Sequence, residues 1–94
     1  MRSIVFSGQY KKDLKLARRR NLPESELNAI IKDLAMDIPL SADKKDHLLS
    51  GNYAGYRECH IQPDWLLIYK KVDDGELHIL KLARTGSHSD LFKK

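Results

Sequence analysis

The chain contains one cysteine, Cys59, so no disulfide can form within it, and such scarcity fits a reducing compartment. It has no apolar run near the length needed to cross a bilayer. Its first residues also lack the succession of charged, apolar and small residues that makes a signal peptide. A cytoplasmic protein without a membrane partner is therefore expected. Paired-cysteine and His-x-x-x-His spacings are missing, which argues against a zinc site, and neither metal nor other cofactor is expected. The helical stretches hold no internal repeat or low-complexity segment.

What is present suits one domain spanning residues 1–94: 41% hydrophobic and 32% charged residues are enough for a single modest core and too apolar for a disordered chain. The 17 Lys and Arg outnumber the 13 Asp and Glu, for a net charge of +4. That balance favours polyanionic partners without demanding one.

Ser3-Ile4-Val5-Phe6 is β-branched and apolar and reads as a strand. Ser7 can cap a helix from Gln9 to about Arg20, in which Tyr10, Leu14 and Ala17 face inward. Lys11, Lys15 and Arg18 follow the same spacing about a quarter-turn away. This cationic stripe is either the wet side of an amphipathic helix or a surface for phosphates or an acidic partner. Asn21-Leu22-Pro23 breaks the helix and places Pro23 at the first position of a second one, whose buried face is Leu27, Ile30, Ile31 and Leu34 and whose continuation Pro39 prevents. Residues 40–52 read as loop and contain His47. Tyr53 to Ile61 reads as a strand with Tyr56, Glu58 and His60 on one face. Gln62-Pro63-Asp64 forms a bend, Trp65 to Val72 a central strand, Asp73-Asp74-Gly75 a hairpin turn and Leu77 to Arg84 the returning strand. A short C-terminal turn from His88 to Phe92 closes the chain. The order β-α-α-β-β-β predicts an α+β domain, a two-helix hairpin packed on a largely antiparallel four-stranded sheet.

His47, His60 and His88 come from a loop, a strand end and a turn, and all three can meet at one end of that sheet. Cleaving RNA without a metal needs a base for the 2′-hydroxyl, an acid for the leaving 5′-oxygen and cations near the phosphorus. Imidazole suits proton transfer because its ordinary pKa lies near neutrality. Asp64 can serve there as a base, an orienting acceptor or a stabiliser of imidazolium, and Arg84 can hold a phosphate bidentately. Each histidine has an alternative as a rim residue. Trp65 and Phe92 are core or rim aromatics, or stack an unpaired base. His78, inside a strand, has no catalytic part.

The stretches Asp46-His47-Leu48-Leu49-Ser50-Gly51, Gly55-Tyr56-Arg57-Glu58-Cys59-His60, Pro63-Asp64-Trp65-Leu66-Leu67-Ile68-Tyr69 and Arg84-Thr85-Gly86-Ser87-His88-Ser89-Asp90-Leu91-Phe92 occur in this order, with Ser7-Gly8-Gln9-Tyr10 and Lys12-Asp13 ahead of them. Together they resemble the YafQ-type branch of the RelE/ParE toxin superfamily over nearly the whole chain. The resemblance implies a RelE-like fold and a bacterial type II toxin. It implies an endoribonuclease that cuts mRNA in the ribosomal A site and is silenced by a cognate antitoxin of the DinJ or RelB kind. It carries the catalytic roles to His47, His60, Asp64 and His88, places Trp65 and Phe92 near the site and makes Arg84 a phosphate contact. A ParE-like toxin that binds gyrase without catalysis is the alternative, since fold alone does not settle function. A third reading is a basic protein-interaction domain with incidental histidines. The histidines and Asp64 favour the nuclease, because a gyrase binder needs no such cluster.

Overall fold

The computed structural model describes residues 1–92. The first strand, β1 (Ser3–Phe6), leads into two helices, α1 (Gly8–Arg19) and α2 (Glu24–Ala35). Ser7 caps α1 as expected, its hydroxyl accepting from the Tyr10 N–H at 2.9 Å. Both helices stop by the same device. A residue in the left-handed region, Asn21 (φ 56°) or Asp37 (φ 57°), lets its own N–H and the one after it reach back to free carbonyls near the helix end. Asn21 donates to Arg18 and Leu22 to Ala17; Asp37 donates to Leu34 and Ile38 to Asp33. Asp37, and not Pro39, therefore ends α2, and Pro23 flanks the helix as its N-cap instead of filling its first turn.

The remaining elements are β2 (His47–Leu48), β3 (Arg57–Gln62), β4 (Trp65–Asp74), β5 (Leu77–Gly86) and α3 (His88–Leu91), with single 3-10 turns at Ala42–Lys44 and Gly51–Tyr53. The sheet is five-stranded in the order β1-β5-β4-β3-β2; β1 is parallel to β5 and every other pair is antiparallel. Two sequence expectations shift here. A short fifth strand, β2, emerges from the stretch read as loop, and β3 begins at Arg57 because Gly51–Tyr53 turns instead of extending. Two residues pair too briefly to leave a period in the sequence. The hairpin loop is Gly75-Glu76, one residue later than expected, with Gly75 at φ 59° and Asp74 opposite Leu77.

Both faces of the sheet are covered. Tyr10, Ala17, Leu27, Ile30, Ile31 and Leu34 pack from the helices onto Cys59, Ile61, Trp65, Leu67, Tyr69, Leu80 and Leu82. On the opposite face Leu66, Ile68 and Leu91 meet Leu49, Tyr53, Tyr56 and Ala83. Burial on both faces explains why β4 starts as an unbroken apolar run and not as an alternation. Burial pushes the Cys59 thiol up to about 12, so it stays an inert core group. Among the described residues, no helix is long and apolar enough to cross a membrane.

Candidate active site

The side chains of interest lie on the sheet face away from α1 and α2. Along β3, Cys59 and Ile61 enter the helix-side core, so the period of two turns Glu58 and His60 to the other side, opposite Ile68 and Leu66 of β4. His47 on β2 stands directly across from Glu58. Its segment is tied to the sheet by Asp46, whose Oδ1 accepts from the Tyr69 hydroxyl at 2.7 Å and from Arg57 Nε at 3.1 Å. Asp64 occupies the two-residue turn between β3 and β4, beside a register shift in which Ile61 has no opposite partner. Such bulges re-aim neighbouring side chains. His88 is the first residue of α3, a single turn closed by a reciprocal capping pair: the Ser87 hydroxyl accepts from the Asp90 N–H, and the Asp90 carboxylate accepts from the Ser87 N–H.

These groups form a contiguous row. His47 Nε2 and His60 Nε2 lie 3.8 Å and 3.5 Å from Oε1 of Glu58, the His60 and His88 rings are 5.6 Å apart, and His88 Nδ1 meets Asp64 Oδ1 at 2.7 Å. Asp64 Oδ1 also accepts the His88 backbone N–H at 2.9 Å, satisfying a free donor at the start of α3. That backbone donor first, and then the ring, hold the Asp64 carboxyl below the usual carboxylate range. An ionised Asp64 fixes Nδ1–H on His88 and leaves Nε2 to face the site. On His47, Nδ1 donates to the Lys45 carbonyl at 2.6 Å, so its Nε2 is the basic atom when the ring is neutral.

Glu58, 4% exposed, is the group that sequence reading passed over. Its place on the same strand face as His60 was legible. Its burial between two imidazoles was not, because β2 could not be foreseen.

The structure does not gather every expected residue. Trp65 is 2% exposed and lies in the helix-side core, its indole N–H donating to Thr85 Oγ1 at 3.0 Å, so it cannot stack a base; its position near the site is structural. Phe92 is 40% exposed and packs edge-on against Tyr53, on the histidine side of the sheet. Arg84, opposite Ile68, is held bidentately by Asp13 at 2.8 and 3.1 Å, which raises its pKa further. Asp13 also accepts the Thr85 N–H at 3.2 Å. Lys11, Lys15 and Arg18 sit on α1, on the other side of the sheet from the histidines, and so do not join the cluster. Arg18 is moreover paired with Glu24 at 2.8 and 2.9 Å.

Comparison with known proteins shows the family. The family described as "Bacterial toxin of type II toxin-antitoxin system, YafQ" matches residues 2–93. The mRNA interferase toxin YafQ of Escherichia coli K12 is 45% identical over 92 residues, 97% of this chain and 96% of that protein. The toxin in the crystal structure of the E. coli DinJ-YafQ toxin-antitoxin complex superposes with a TM-score of 0.85 at 44% identity, covering 97% of each chain. A metal-bound toxin from Helicobacter pylori superposes at 0.87 with 38% identity, over 98% of this chain and 100% of that one. With its fold, its motifs and its full length all matched, the chain belongs to the YafQ family of bacterial type II toxins.

Proposed function

We propose that this toxin is an endoribonuclease, an mRNA interferase that cuts message in the ribosomal A site by acid/base chemistry without a catalytic metal. The observation that carries the reading is the row of His47, Glu58, His60, His88 and Asp64 on the sheet face away from α1 and α2. His47 Nε2 takes the proton from a ribose 2′-hydroxyl, and the 2′-oxygen attacks the adjacent phosphorus. The P–O5′ bond breaks as His88, protonated and braced by Asp64, gives its Nε2 proton to the leaving oxygen. The products are a 2′,3′-cyclic phosphate, or its 3′-phosphate hydrolysis product, and a 5′-hydroxyl. His60 sits between these two groups and offsets the charge developing at phosphorus. Glu58 keeps His47 and His60 oriented. Arg84, if drawn from Asp13 by substrate, supplies a bidentate phosphate contact.

The partner that silences it is an antitoxin, as in the DinJ-YafQ complex of the E. coli relative. Lys11 and Lys15 on the exposed side of α1 offer an acidic or amphipathic antitoxin segment a cationic rim that steers encounter. The same rim can rest on RNA phosphates of the ribosome. Co-expression with the neighbouring reading frame is expected to yield a stable, inactive complex.

The decisive measurement adds purified toxin to translating ribosomes and maps new mRNA ends. A-site cuts bearing cyclic or 3′-phosphate ends are expected, lost in His47→Ala and His88→Ala and kept in His78→Ala. Wild-type cutting by both His47→Ala and His88→Ala would sink the mechanism. Gyrase-linked DNA breaks without new RNA ends would move the reading to a ParE-like binder.

A further inference from the structure

His47 stands on β2, a strand of two residues, shorter than the roughly three to ten usual for strands. Its ladder pairs are His47 with Glu58 and Leu48 with Arg57, followed by one bond from the Leu49 N–H to the Tyr56 carbonyl at 2.9 Å. That is little to hold a group that must meet a ribose hydroxyl in a fixed geometry. Successive side chains of an extended chain point to opposite faces, so His47 faces the histidine side and Asp46, just before it, the helix side. There Asp46 Oδ1 accepts from Arg57 Nε on β3 at 3.1 Å and from the Tyr69 hydroxyl on β4 at 2.7 Å, and Arg57 and Tyr69 stand opposite each other in the ladder. We infer that Tyr69 and Arg57 are positioning residues of the cleavage reaction: joined to Asp46 across the helix side of β3, they clamp the start of β2 and so fix the place of His47 on the other face.

Tyr69 differs from a tyrosine that merely fills the core. Its ring is 1% exposed and packed among the helix-side residues, so it is a rigid anchor and cannot follow a drifting loop. Its hydroxyl makes the shorter of the two bonds to Asp46, and a bond to a carboxylate is of the stronger, charge-assisted kind. Burial first, and then Asp46, push the pKa of that hydroxyl up, so it remains a donor at any pH at which the protein works. One peptide unit separates the anchored carboxylate from His47. On the far side of Asp46, Lys45 adopts the left-handed conformation (φ 50°), and its carbonyl accepts from His47 Nδ1 at 2.6 Å. Both the backbone and the ring orientation of His47 therefore depend on where the Lys45-Asp46 segment is held.

The catalytic consequence rests on the reading of His47 as the base, whereas the clamp itself does not. Tyr69→Phe separates the two cleanly. It keeps the buried ring and removes one donor from Asp46, whose side chain is 27% exposed, so that water replaces the lost bond and no buried charge is orphaned. The fold survives this change, and what is lost is the tie between β4 and the start of β2.

The test measures amide hydrogen exchange and cleavage on the full chain. In Tyr69→Phe the Leu49 N–H is expected to exchange on the order of tenfold faster while amides of β4 and β5 keep their protection, the sign of a local opening. Adding Arg57→Gln is expected to speed it further. Unchanged exchange at Leu49, or an equal rise throughout the sheet, overturns the clamp. On translating ribosomes kcat of Tyr69→Phe is expected to fall by about ten- to a hundredfold with KM unmoved, as for a displaced reacting group. In a His47→Ala background the same change is expected to cost nothing more, because both act through one side chain. Tyr10→Phe, which removes a hydroxyl from the same core away from β2, is expected to leave exchange at Leu49 and cleavage as in wild type. Wild-type kcat in Tyr69→Phe, or an equal loss with and without His47, overturns the positioning role. If His47→Ala itself cuts at the wild-type rate, the reading of His47 as base falls and the catalytic consequence with it, and hydrogen exchange still decides the clamp.

Discussion

Asp64 and His88 show how one contact decides a residue's chemistry. Because the His88 backbone N–H and ring both donate to Asp64, the carboxylate stays ionised well below neutral pH and is poorly suited to proton transfer. Its work is to hold Nδ1–H of His88 and so fix the orientation of the ring. Removing a proton-transfer group commonly lowers rate by about a hundredfold to ten-thousandfold. His88→Ala and His47→Ala are expected to fall in that range in single-turnover cleavage. Their melting temperatures should stay near wild type, since both side chains are about half-exposed. Asp64→Asn tests the division of labour. It should lower the rate less than His88→Ala. Wild-type cleavage by that variant would mean that Asp64 does not act through His88.

At the scale of elements, α3 is a helix of a single turn and cannot hold its shape unaided. Three attachments fix it: Asp64 at its first N–H, the Ser87-Asp90 capping pair, and Arg20 from the end of α1, whose guanidinium meets Asp90 at 2.6 and 3.3 Å. Arg20 first, then the Ser87 N–H, keep the Asp90 carboxyl far below its usual range. Behind it, Gly86 leaves no room. A Cβ there would meet Asp90 Cβ and Oδ2 at 3.0 Å. Gly86→Ala is therefore expected to push Asp90 and α3 outward, costing at least tenfold in cleavage through a displaced His88 while antitoxin binding on α1 persists. A crystal structure of that variant with α3 unmoved would contradict this account. Arg20→Ala should have the same sign and a smaller effect, because two of the three attachments remain.

Across the whole molecule, the larger hydrophobic core and the histidine row occupy different faces of one sheet. Trp65, Leu67 and Tyr69 of β4 anchor the helix side, and Thr85 bridges the Trp65 indole to the Leu66 carbonyl through its hydroxyl at 3.0 and 2.7 Å. Trp65→Ala is expected to destabilise the fold by about 3–5 kcal/mol, measured by chemical denaturation. The milder Trp65→Phe should keep much of the stability and most of the cleavage. Far from the histidines, Arg2 joins the N-terminus to α2 and to the β4-β5 hairpin through Asp37 and Asp73 at 2.8 Å each, with Lys71 also on Asp37. Lys71 first, and Arg2 with it, hold the Asp37 carboxyl down at about 2. A carboxylate depressed in the folded state stabilises above its unfolded pKa, near 3.9, and that contribution disappears as pH falls towards about 2. Melting temperature should therefore drop over this window. The drop should be shallower in Asp37→Asn and weaker at high salt, since Asp37 is exposed.

The amino-acid sequence by itself determined the α+β order, the inward faces Tyr10-Ala17 and Leu27-Leu34, the Ser7 cap and the apolar strand from Trp65, because each follows from a local period or a local hydrogen bond. Its motifs also named His47, His60, Asp64 and His88 before any coordinates placed them. Only the tertiary structure decided what those residues touch. Pairing of two-residue β2 with β3 sets His47 across from Glu58, and the seating of α3 brings His88 within 5.6 Å of His60 and onto Asp64, 24 positions back along the chain. The cluster of Glu58, His60 and His88 has no spacing to recognise, being split between a strand and a distant turn. The two readings of Trp65, core or rim, were likewise settled by which face of β4 the helices cover. A strand's period fixes which side chains share a face, whereas which face meets the core depends on how the whole sheet packs.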